Sequence, residues 1–318
     1  MFNQVFRRRV RKLQEEILKL KERENALILA HNYQVPEIQE IADAVGDSLE
    51  LAMIARKSKN ADFIVFSAVD FMAETAAILN PDKEVYVPDP TARCPMALMC
   101  PRKVVVEAKR LHDGVPVVLY VNTLAEAKAE ADVICTSANA PTIVERMGAE
   151  EVLFGPDKNL GLYVEKKTGV KIFPVPEDGY CYVHVMFKPH HIIEMKKKHP
   201  DAVVMVHPEC TPEVQKIADF IGSTSQMYRY AKESNHEKFI VGTEIGLIDR
   251  MRREIEGKVF IPALKKAVCE DMKKNSLEKI RRVLLERPRR NLIIVPEDIA
   301  NKARKGIERM FAMMEKGK

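Results

Sequence analysis

The 318-residue sequence has no long hydrophobic run. A helix needs about eighteen apolar residues in succession to cross a bilayer, and no such stretch occurs. An apolar signal region is also missing near the N-terminus, where Leu13, Ile17 and Leu20 are interleaved with Lys and Glu at helical spacing. We therefore expect no membrane span and no export signal, but an amphipathic helix over residues 1–25 and a cytoplasmic location.

Low-complexity tracts and linkers rich in Pro, Gly or Ser are absent as well. Hydrophobic residues make up 46% and charged residues 31%, a balance that excludes disorder, collagen and a disulfide scaffold. The net charge of +5 includes basic clusters at 7–12, 287–290 and 302–305, but acids interrupt their segments and aromatics are nearly missing. These clusters favour solvated helix faces over a nucleic-acid interface. A mildly positive field would instead attract small anionic substrates.

The sequence does contain an internal repeat, which occurs three times. Each copy opens with an apolar run that predicts a buried strand, at 27–30, 117–121 and 203–206, and polar residues follow each run. A helical pattern with Ala-Asp and then a small hydroxyl residue comes next, at Asp43 and Ser48, Asp132 and Ser137, and Asp219 and Thr224. The three aspartates lie 89 and 87 residues apart.

Two more strands are predicted in every copy. The second strands are expected at 63–67, 151–155 and 238–242, and the third at 84–88, 170–174 and 258–262, each closing with proline. One cysteine follows every third strand, namely Cys94, Cys181 and Cys269, at intervals of 87 and 88 residues. The cysteines therefore keep the period of the aspartates.

Alternating strands and helices of this size predict parallel βαβ units. We expect an α/β fold of three similar αβα subdomains with parallel sheets, related by a pseudo-threefold axis, with a metal site at the centre. The expected repeats span 26–108, 109–195 and 196–285. A C-terminal strand and helix, at 286–318, are expected to pack on the core.

The three cysteines in phase predict a metal site, although a single free cysteine is more often a buried packing residue. A structural zinc site commonly uses a C-x-x-C pair, and the sequence has none. Three thiolates without a fourth protein ligand suit a [4Fe-4S] cluster with one open iron. An open iron is a Lewis acid, which favours hydration or dehydration chemistry, or a reductase. Cys100, Cys135 and Cys210 fall outside the period and are expected to be packing residues.

Polar residues at the predicted strand ends are the candidates for binding and proton transfer. They are His31, Tyr33, Tyr120, Asn122, His207 and Glu209, with Ser48, Ser137 and Thr224 at expected helix starts. Hydroxyls at helix starts are commonly N-caps, and a lone histidine is commonly structural. Imidazole and carboxylate groups can also move protons near neutral pH, while hydroxyls and helix N-termini suit carboxylate or phosphate.

The chain resembles the quinolinate synthase family through many motifs in order. These are L-A-H-N-Y-Q from Leu29, I-A-D-A-V-G-D-S-L from Ile41, F-M-A-E-T-A from Phe71, Y-V-N-T from Tyr120, T-S-A-N-A from Thr136, G-P-D-K-N-L-G from Gly155, G-Y-C-Y-V-H from Gly179, V-H-P-E-C from Val206, G-S-T-S from Gly222, G-T-E from Gly242 and M-K-K-N-S-L-E from Met272. The resemblance covers nearly the whole chain.

The resemblance implies condensation of iminoaspartate with dihydroxyacetone phosphate to quinolinate, with loss of phosphate and water, in NAD biosynthesis. It implies Cys94, Cys181 and Cys269 as ligands of a [4Fe-4S] cluster, and Tyr33 in proton transfer and site closure. The implied substrate-contacting positions are His31, Ser48, Tyr120, Val121, Asn122, Ser137, His207, Pro208, Glu209 and Thr224. We assign His31, Tyr33, Tyr120, His207 and Glu209 catalytic roles as a hypothesis.

Three positions depart from the family pattern without touching an expected ligand. Arg93 precedes Cys94 where many members have glycine, and Asp178 stands where an aromatic residue often precedes the G-x-C motif. Met272 stands where some members have a second cysteine near the third ligand. Because iminoaspartate hydrolyses readily, transient transfer from an aspartate oxidase or dehydrogenase is also expected.

Two other functions remain open at this point. Another three-cysteine cluster enzyme, similar to diphthamide-synthesis proteins or to hydroxymethylbutenyl diphosphate reductase, would share the cluster but use a different cofactor or external electrons. A non-enzymatic iron–sulfur sensor would need an output surface, and the repeats and terminal helices occupy every segment of the sequence. Formation of quinolinate without an added reductant separates the expected enzyme from both.

Overall fold

Short, apolar strands lie in the buried core of the fold. A computed structural model describes residues 2–58 and 61–315, so that residues 59 and 60, Met1 and residues 316–318 lie outside the described residues. The outermost ends of the two expected terminal segments are therefore not described. No helix in the described ranges is long and apolar enough to cross a membrane.

Helices and strands alternate along the chain in three similar series. The first comprises α1 (Phe2–Arg23), β1 (Ala26–His31), α2 (Pro36–Gln39), β2 (Ala44–Gly46), α3 (Ser48–Lys57), β3 (Phe63–Ser67), α4 (Asp70–Leu79) and β4 (Glu84–Tyr86). The second comprises α5 (Pro95–Met99), α6 (Arg102–Leu111), β5 (Val117–Tyr120), α7 (Ala125–Lys128), β6 (Val133–Cys135), α8 (Ala140–Met147), β7 (Glu151–Gly155), α9 (Lys158–Thr168) and β8 (Lys171–Pro174).

The third series and the C-terminal helices complete the described chain. They are α10 (Pro189–Lys198), β9 (Val203–Val206), α11 (Pro212–Gln215), β10 (Phe220–Ile221), α12 (Thr224–Glu233), β11 (Lys238–Gly242), α13 (Ile245–Glu254), β12 (Val259–Pro262), α14 (Leu277–Glu286) and α15 (Glu297–Glu315). Single turns of 3-10 helix lie at His184–Met186, Met272–Lys274 and Arg289–Asn291.

All three series form a parallel four-stranded sheet with the same topology. The strand orders are β2-β1-β3-β4, β6-β5-β7-β8 and β10-β9-β11-β12. The central strands β3, β5 and β9 are buried along their whole length, and β1, β7 and β11 along most of it. Parallel strands covered by helices on both faces read as continuous apolar runs, which is the pattern that the sequence shows. The expected α/β class with three similar αβα subdomains is confirmed.

The chain divides into two compact units. One comprises Met1–Cys94 and Cys269–Val295 and contains the first sheet; the other comprises Pro95–Val268 and Pro296–Lys318 and contains the second and third sheets. In the first unit, Ile17 of α1 and Ile280 of α14 pack in the same buried cluster as Phe63 of β3. In the second unit, α15 buries Ala303 and Ile307 and packs on β6.

The segment between the first and second strands of each repeat differs from the sequence prediction. We expected a helix carrying Ala-Asp, but a helix of four residues ends before the dipeptide and a short edge strand follows it. The predicted C-terminal strand is a single antiparallel bridge between Tyr86 and Leu292 in the described chain. Edge strands of two or three residues carry too few side chains to produce a readable alternation.

The repeated aspartates explain the Ala-Asp motif. The carboxylates of Asp43, Asp132 and Asp219 accept the N–H of Ile28 (2.8 Å), Val117 (2.7 Å) and Val204 (2.8 Å), each 15 residues earlier. The backbone N–H of each aspartate donates to the carbonyl of the same partner. Each aspartate thus ties the start of the edge strand to the central strand, so the motif is structural in all three repeats.

Candidate active site

Equivalent residues lie at the carboxyl ends of β1, β5 and β9, as the last residue of the strand or the residue after it. These residues are His31, Tyr120 and His207. Each lies three residues after the strand residue whose N–H the aspartate of the same repeat accepts. Eight residues after each of them lies a long buried side chain, that of Gln39, Lys128 or Gln215. Each of these side chains donates hydrogen bonds to backbone carbonyls of the loop that follows the strand. The acceptors are Asn32 and Gln34 in the first repeat, Thr123 in the second, and Pro208 and Cys210 in the third.

Glu209 contacts other side chains of the site through both carboxylate oxygens. Its Oε1 accepts the hydroxyl of Tyr120 at 2.8 Å, and its Oε2 lies 2.7 Å from Nδ1 of His184. The imidazole of His207 stacks on that of His184 with ring centroids 4.5 Å apart. The structure therefore brings together three expected residues, Tyr120, His207 and Glu209, around one carboxylate.

His184 joins this carboxylate to a cysteine. Its Nδ1 lies 3.2 Å from Sγ of Cys181, and its Nε2 lies 2.9 Å from the hydroxyl oxygen of Thr243. Ligand atoms of Cys181, His184 and Glu209 all lie within 4.8 Å of one another, so that these groups can hold a metal ion. Thiolate, imidazole and carboxylate together suit a transition metal.

Burial and hydrogen bonding set the ionisation of this group. Burial alone would raise the pKa of Glu209, but the imidazoles of His207 and His184 and the hydrogen bonds from His184 and Tyr120 lower it to about 2. Burial lowers the pKa of His207 to about 3, against the opposing charge of Glu209. Glu209 is therefore ionised and His207 neutral at neutral pH.

A second buried carboxylate lies beside Glu209. Asp157 caps α9 by accepting the N–H of Leu160 (2.8 Å) and also accepts the N–H of Cys181 (3.0 Å). Burial and the negative charge of Glu209 raise the pKa of Asp157 well above its usual range, against these hydrogen bonds. Two carboxylates in one buried region have opposite pKa shifts, an arrangement typical of functional sites.

Close backbone packing holds the loops that carry Asp157 and Cys181. A Cβ atom on Gly179 would lie 1.9 Å from the carbonyl oxygen of Pro156, and one on Gly155 would lie 1.8 Å from that of Val175. Only glycine permits so close an approach of backbone to backbone. The two glycines therefore keep the loops in register.

His31 and Tyr33 belong to the first unit and show the geometry seen at His207 and Glu209. Nδ1 of His31 accepts the N–H of Tyr33 at 3.1 Å, and Nδ1 of His207 accepts the N–H of Glu209 at 3.3 Å. Lys273 donates to the carbonyl of Tyr33. The two histidines therefore occupy corresponding turns in the first and third repeats.

The remaining expected binding residues lie at loops and helix starts. Ser48 and Thr224 are the first residues of α3 and α12. The N-caps of these helices are the preceding residues, Asp47 and Ser223, so Ser48 and Thr224 are not the capping residues. Ser137 lies in a turn three residues before α8 begins. Val121 and Pro208 are buried in the strand-end loops, and Asn122 is half-buried there.

The six cysteines separate into two environments. The in-phase cysteines Cys94, Cys181 and Cys269 are partly exposed, whereas Cys100, Cys135 and Cys210 are buried. Burial raises the pKa of Cys100 to about 12 and also raises the pKa of Cys135 and of Cys210. Because metals bind thiolates, burial makes Cys100, Cys135 and Cys210 less suited to metal binding than the partly exposed set.

Sequence reasoning missed three groups at this site, although each lies inside a motif quoted above. Asp157 follows Gly155-Pro156, His184 lies three residues after Cys181, and Thr243 follows Gly242. The cysteine–histidine spacing was the available signal, because side chains three apart on one turn share a face.

Fold and site together define an α/β protein in which a partly exposed cysteine, a buried imidazole and a buried carboxylate form a group that can bind a metal ion. The family model described as quinolinate synthetase A protein (NadA) matches residues 15–312. The chain belongs to the quinolinate synthase family.

Curated relatives support this assignment along almost the whole chain. The quinolinate synthase of Methanothermobacter thermautotrophicus is 51% identical over 303 residues, covering 95% of this chain and 99% of that protein. That of Methanocaldococcus jannaschii is 50% identical over 302 residues, covering 93% and 97%. That of Pyrococcus abyssi is 53% identical over 299 residues, covering 94% and 98%.

Proposed function

We propose that this chain condenses iminoaspartate with dihydroxyacetone phosphate to quinolinate, releasing phosphate and water, in the de novo synthesis of NAD. The family match over residues 15–312 supports this reaction class. The observation that carries the proposal is the buried carboxylate of Glu209, which binds the Tyr120 hydroxyl and the His184 imidazole at the strand ends. A carboxylate, an imidazole and a phenol in contact suit repeated proton transfers.

The proposed cofactor is a [4Fe-4S] cluster held by Cys94, Cys181 and Cys269. Their common period in the sequence and their partial exposure support this ligand set. When bound, the cluster would supply an open iron that acts as a Lewis acid toward a substrate hydroxyl or carboxylate. No C-x-x-C pair competes for the metal.

Glu209, Tyr120 and His207 are the proposed proton-transfer groups. The hydrogen bond of 2.8 Å between Tyr120 and Glu209 gives a direct path for a proton to an ionised carboxylate. Because Nδ1 of His207 accepts a backbone N–H, the neutral ring carries its proton on Nε2. That N–H can donate to a leaving hydroxyl during dehydration.

His31 and Tyr33 are proposed to assist from the first repeat. Nδ1 of His31 also accepts a backbone N–H, so that its Nε2–H is a donor suited to a substrate carboxylate. The proposed substrate-binding set is His31, Ser48, Tyr120, Val121, Asn122, Ser137, His207, Pro208, Glu209 and Thr224. Its hydroxyl and amide groups would bind carboxylates and phosphate through charge-assisted hydrogen bonds.

Because iminoaspartate hydrolyses readily in water, we propose that an aspartate oxidase or dehydrogenase transfers it to this chain during a transient contact in the cytoplasm. The proposed substrates are small anions, which agrees with the net charge of +5.

Anaerobic reconstitution of the protein with iron and sulfide tests the proposal. We expect four iron and four sulfide per chain by colorimetric counting. We also expect quinolinate, detected by chromatography, after incubation with iminoaspartate and dihydroxyacetone phosphate without a reductant. Cys94→Ala, Cys181→Ala and Cys269→Ala should each lose the intact cluster and turnover, while the matched variant Cys100→Ala keeps both.

Three outcomes would contradict the proposed function. Product formation that requires an added reductant would indicate a reductase. Binding of dicarboxylates without turnover by the cluster-loaded protein would indicate a sensor. A cluster that survives replacement of any in-phase cysteine would overturn the ligand assignment.

A further inference from the structure

Each cysteine-bearing loop is tied to the start of a helix. The backbone N–H at that helix start donates to the carbonyl two residues before the cysteine in every repeat. The pairs are Asp70 to Ala92 (3.0 Å), Lys158 to Gly179 (2.9 Å) and Ile245 to Ala267 (3.1 Å). This bond fixes the approach of each loop but does not reach the cysteine itself.

In the first repeat, a carboxylate reaches the cysteine. Oδ1 of Asp70 accepts the N–H of Cys94 at 3.1 Å and the N–H of Phe71 at 2.9 Å. Oδ2 of the same carboxylate is bound by Nε of Arg93 at 2.9 Å. Arg93, which departs from the family pattern, therefore holds one oxygen while the other is directed at the cysteine amide.

In the second repeat, Asp157 makes the corresponding contact. It accepts the N–H of Cys181 at 3.0 Å through Oδ2 and the N–H of Leu160 at 2.8 Å through Oδ1. Both aspartates lie 24 residues before the cysteine that they bind. Because Asp157 is fully buried, its bond to the cysteine amide is shielded from water.

We propose that Asp70 and Asp157 are positioning residues that fix the peptides of Cys94 and Cys181 so that both thiolates are pre-set for the metal. This inference rests on the proposed cluster. Rotation of the peptide before a cysteine swings its Cβ and Sγ, so a carboxylate that holds the amide restricts the sulfur. Groups that orient metal ligands in this way typically contribute tenfold or more to metal affinity.

The test measures iron loss from the anaerobically reconstituted full-length protein. Asp70→Ala and Asp157→Ala should release iron to a colorimetric chelator about tenfold faster than the wild type. Asp70→Asn should release iron at close to the wild-type rate, because one amide oxygen can still accept both N–H bonds. Rescue by that variant would show that the accepted hydrogen bonds, and not the negative charge of Asp70, hold the cysteine amide. Asp70 is exposed enough, at 15%, to tolerate the change.

Asp43→Ala and Asp132→Ala are the matched controls. Each control also removes a carboxylate that accepts a backbone N–H, one in the first repeat and one in the second. In the controls this N–H belongs to a strand residue and not to a cysteine. We expect these controls to lower thermal stability without accelerating iron release. The electron paramagnetic resonance spectrum of the reduced cluster should change in Asp70→Ala and not in the controls.

The outcomes distinguish this inference from the proposed function. Iron release at the wild-type rate from both alanine variants would overturn the inference, as would equally fast release from the controls or no rescue by Asp70→Asn. A wild-type protein that holds no cluster would overturn the proposed function together with the inference.

Discussion

At the scale of single residues, Glu209 connects the groups of the candidate site. Both of its carboxylate oxygens contact other side chains, one the Tyr120 hydroxyl and the other the His184 imidazole, and the residue is 3% exposed. Its main chain is also held, because Asn159 donates to its carbonyl at 3.2 Å. A carboxylate so restrained is oriented before any substrate binds.

Glu209→Gln should therefore abolish most of the activity while keeping the fold. Removal of the charge takes away the proton acceptor at the Tyr120 hydroxyl, and general acid–base groups contribute about 10²- to 10⁴-fold in rate. Steady-state quinolinate formation measures the effect, with circular dichroism as the check on folding. The exposed Glu213→Gln on α11 is the control and should retain full turnover. More than half of the wild-type rate in Glu209→Gln would exclude its catalytic role.

Gly179 illustrates a residue whose role is entirely steric. An added Cβ would lie 1.9 Å from the Pro156 carbonyl oxygen, so Gly179→Ala should destabilise the protein by about 2 kcal/mol or more. Gly306→Ala on α15 is the comparison, since its Cβ would lie 3.4 Å from Ile134. That change should leave stability equal or raise it by up to about 1 kcal/mol. Thermal unfolding of the two variants should rank them in this order, and similar midpoints would refute the steric explanation.

At the scale of elements, one hydrogen-bonding scheme recurs in all three sheets. An aspartate ties the edge strand to the central strand, and a long buried side chain ties the loop after the central strand. The second repeat uses Lys128 for the loop contact, where the first and third repeats use Gln39 and Gln215. The repeated motif is therefore a repeated set of backbone contacts rather than a repeated catalytic group.

Replacement of Asp43, Asp132 or Asp219 by Ala should lower the free energy of unfolding by about 1–2 kcal/mol each. The loss leaves a strand N–H without its carboxylate acceptor, and an unsatisfied buried donor costs about that amount. Denaturant unfolding of the three variants measures it. Asp113→Ala, at an exposed loop position, should change stability by less than about 0.5 kcal/mol. An effect confined to one repeat would show that the three contacts are not equivalent.

At the scale of the whole molecule, distant parts of the chain complete the first unit. Helices α6, α10 and α14 each begin eight residues after an in-phase cysteine. The helix α10 packs on β11 of the sheet that follows it, but α14 packs on β3 of the first sheet. Asn291 donates to the carbonyls of Val87 (2.8 Å) and Pro88 (3.0 Å). The helix α14, which follows the strands of the third repeat, therefore packs on the sheet of the first repeat.

Asp89 and Lys279, 190 residues apart, make this closure sensitive to pH. Burial alone would raise the pKa of Asp89, but the hydrogen bonds from Lys279 and Thr91 outweigh it and lower the pKa to about 2. The folded protein therefore binds protons less readily at this site than the unfolded chain does. The stabilisation is fully present above about pH 4 and is lost as the pH falls toward 2.

Asp89→Asn should thus lower the free energy of unfolding by about 1–2 kcal/mol at pH 7 and by much less near pH 2.5. Urea unfolding of wild type and variant at both pH values measures the two differences. Equal differences at both values would show that the charge of Asp89 does not contribute.

Much of the fold was predictable because the strands are apolar and the repeat is regular. The strands β3, β7, β9 and β11 have the predicted bounds, and the other long strands differ by one or two residues. Buried parallel strands need continuous apolar runs, and such runs are visible without tertiary information. The edge strands β2, β6 and β10 were missed, because two or three residues held by an aspartate leave no periodic signal.

The sequence by itself determined the α/β class, the threefold repetition, the family and the three cysteines in phase, because each depends on residue type and spacing along the chain. Only the tertiary structure decided that Asp157 and His184 of the second repeat lie beside Glu209 and Thr243 of the third, since these contacts form between loops of different repeats. It alone also showed that Asp70 and Asp157 bind cysteine amides 24 residues away. Almost every residue type offers a backbone N–H, so the residue that a carboxylate binds in this way is decided only when the chain folds.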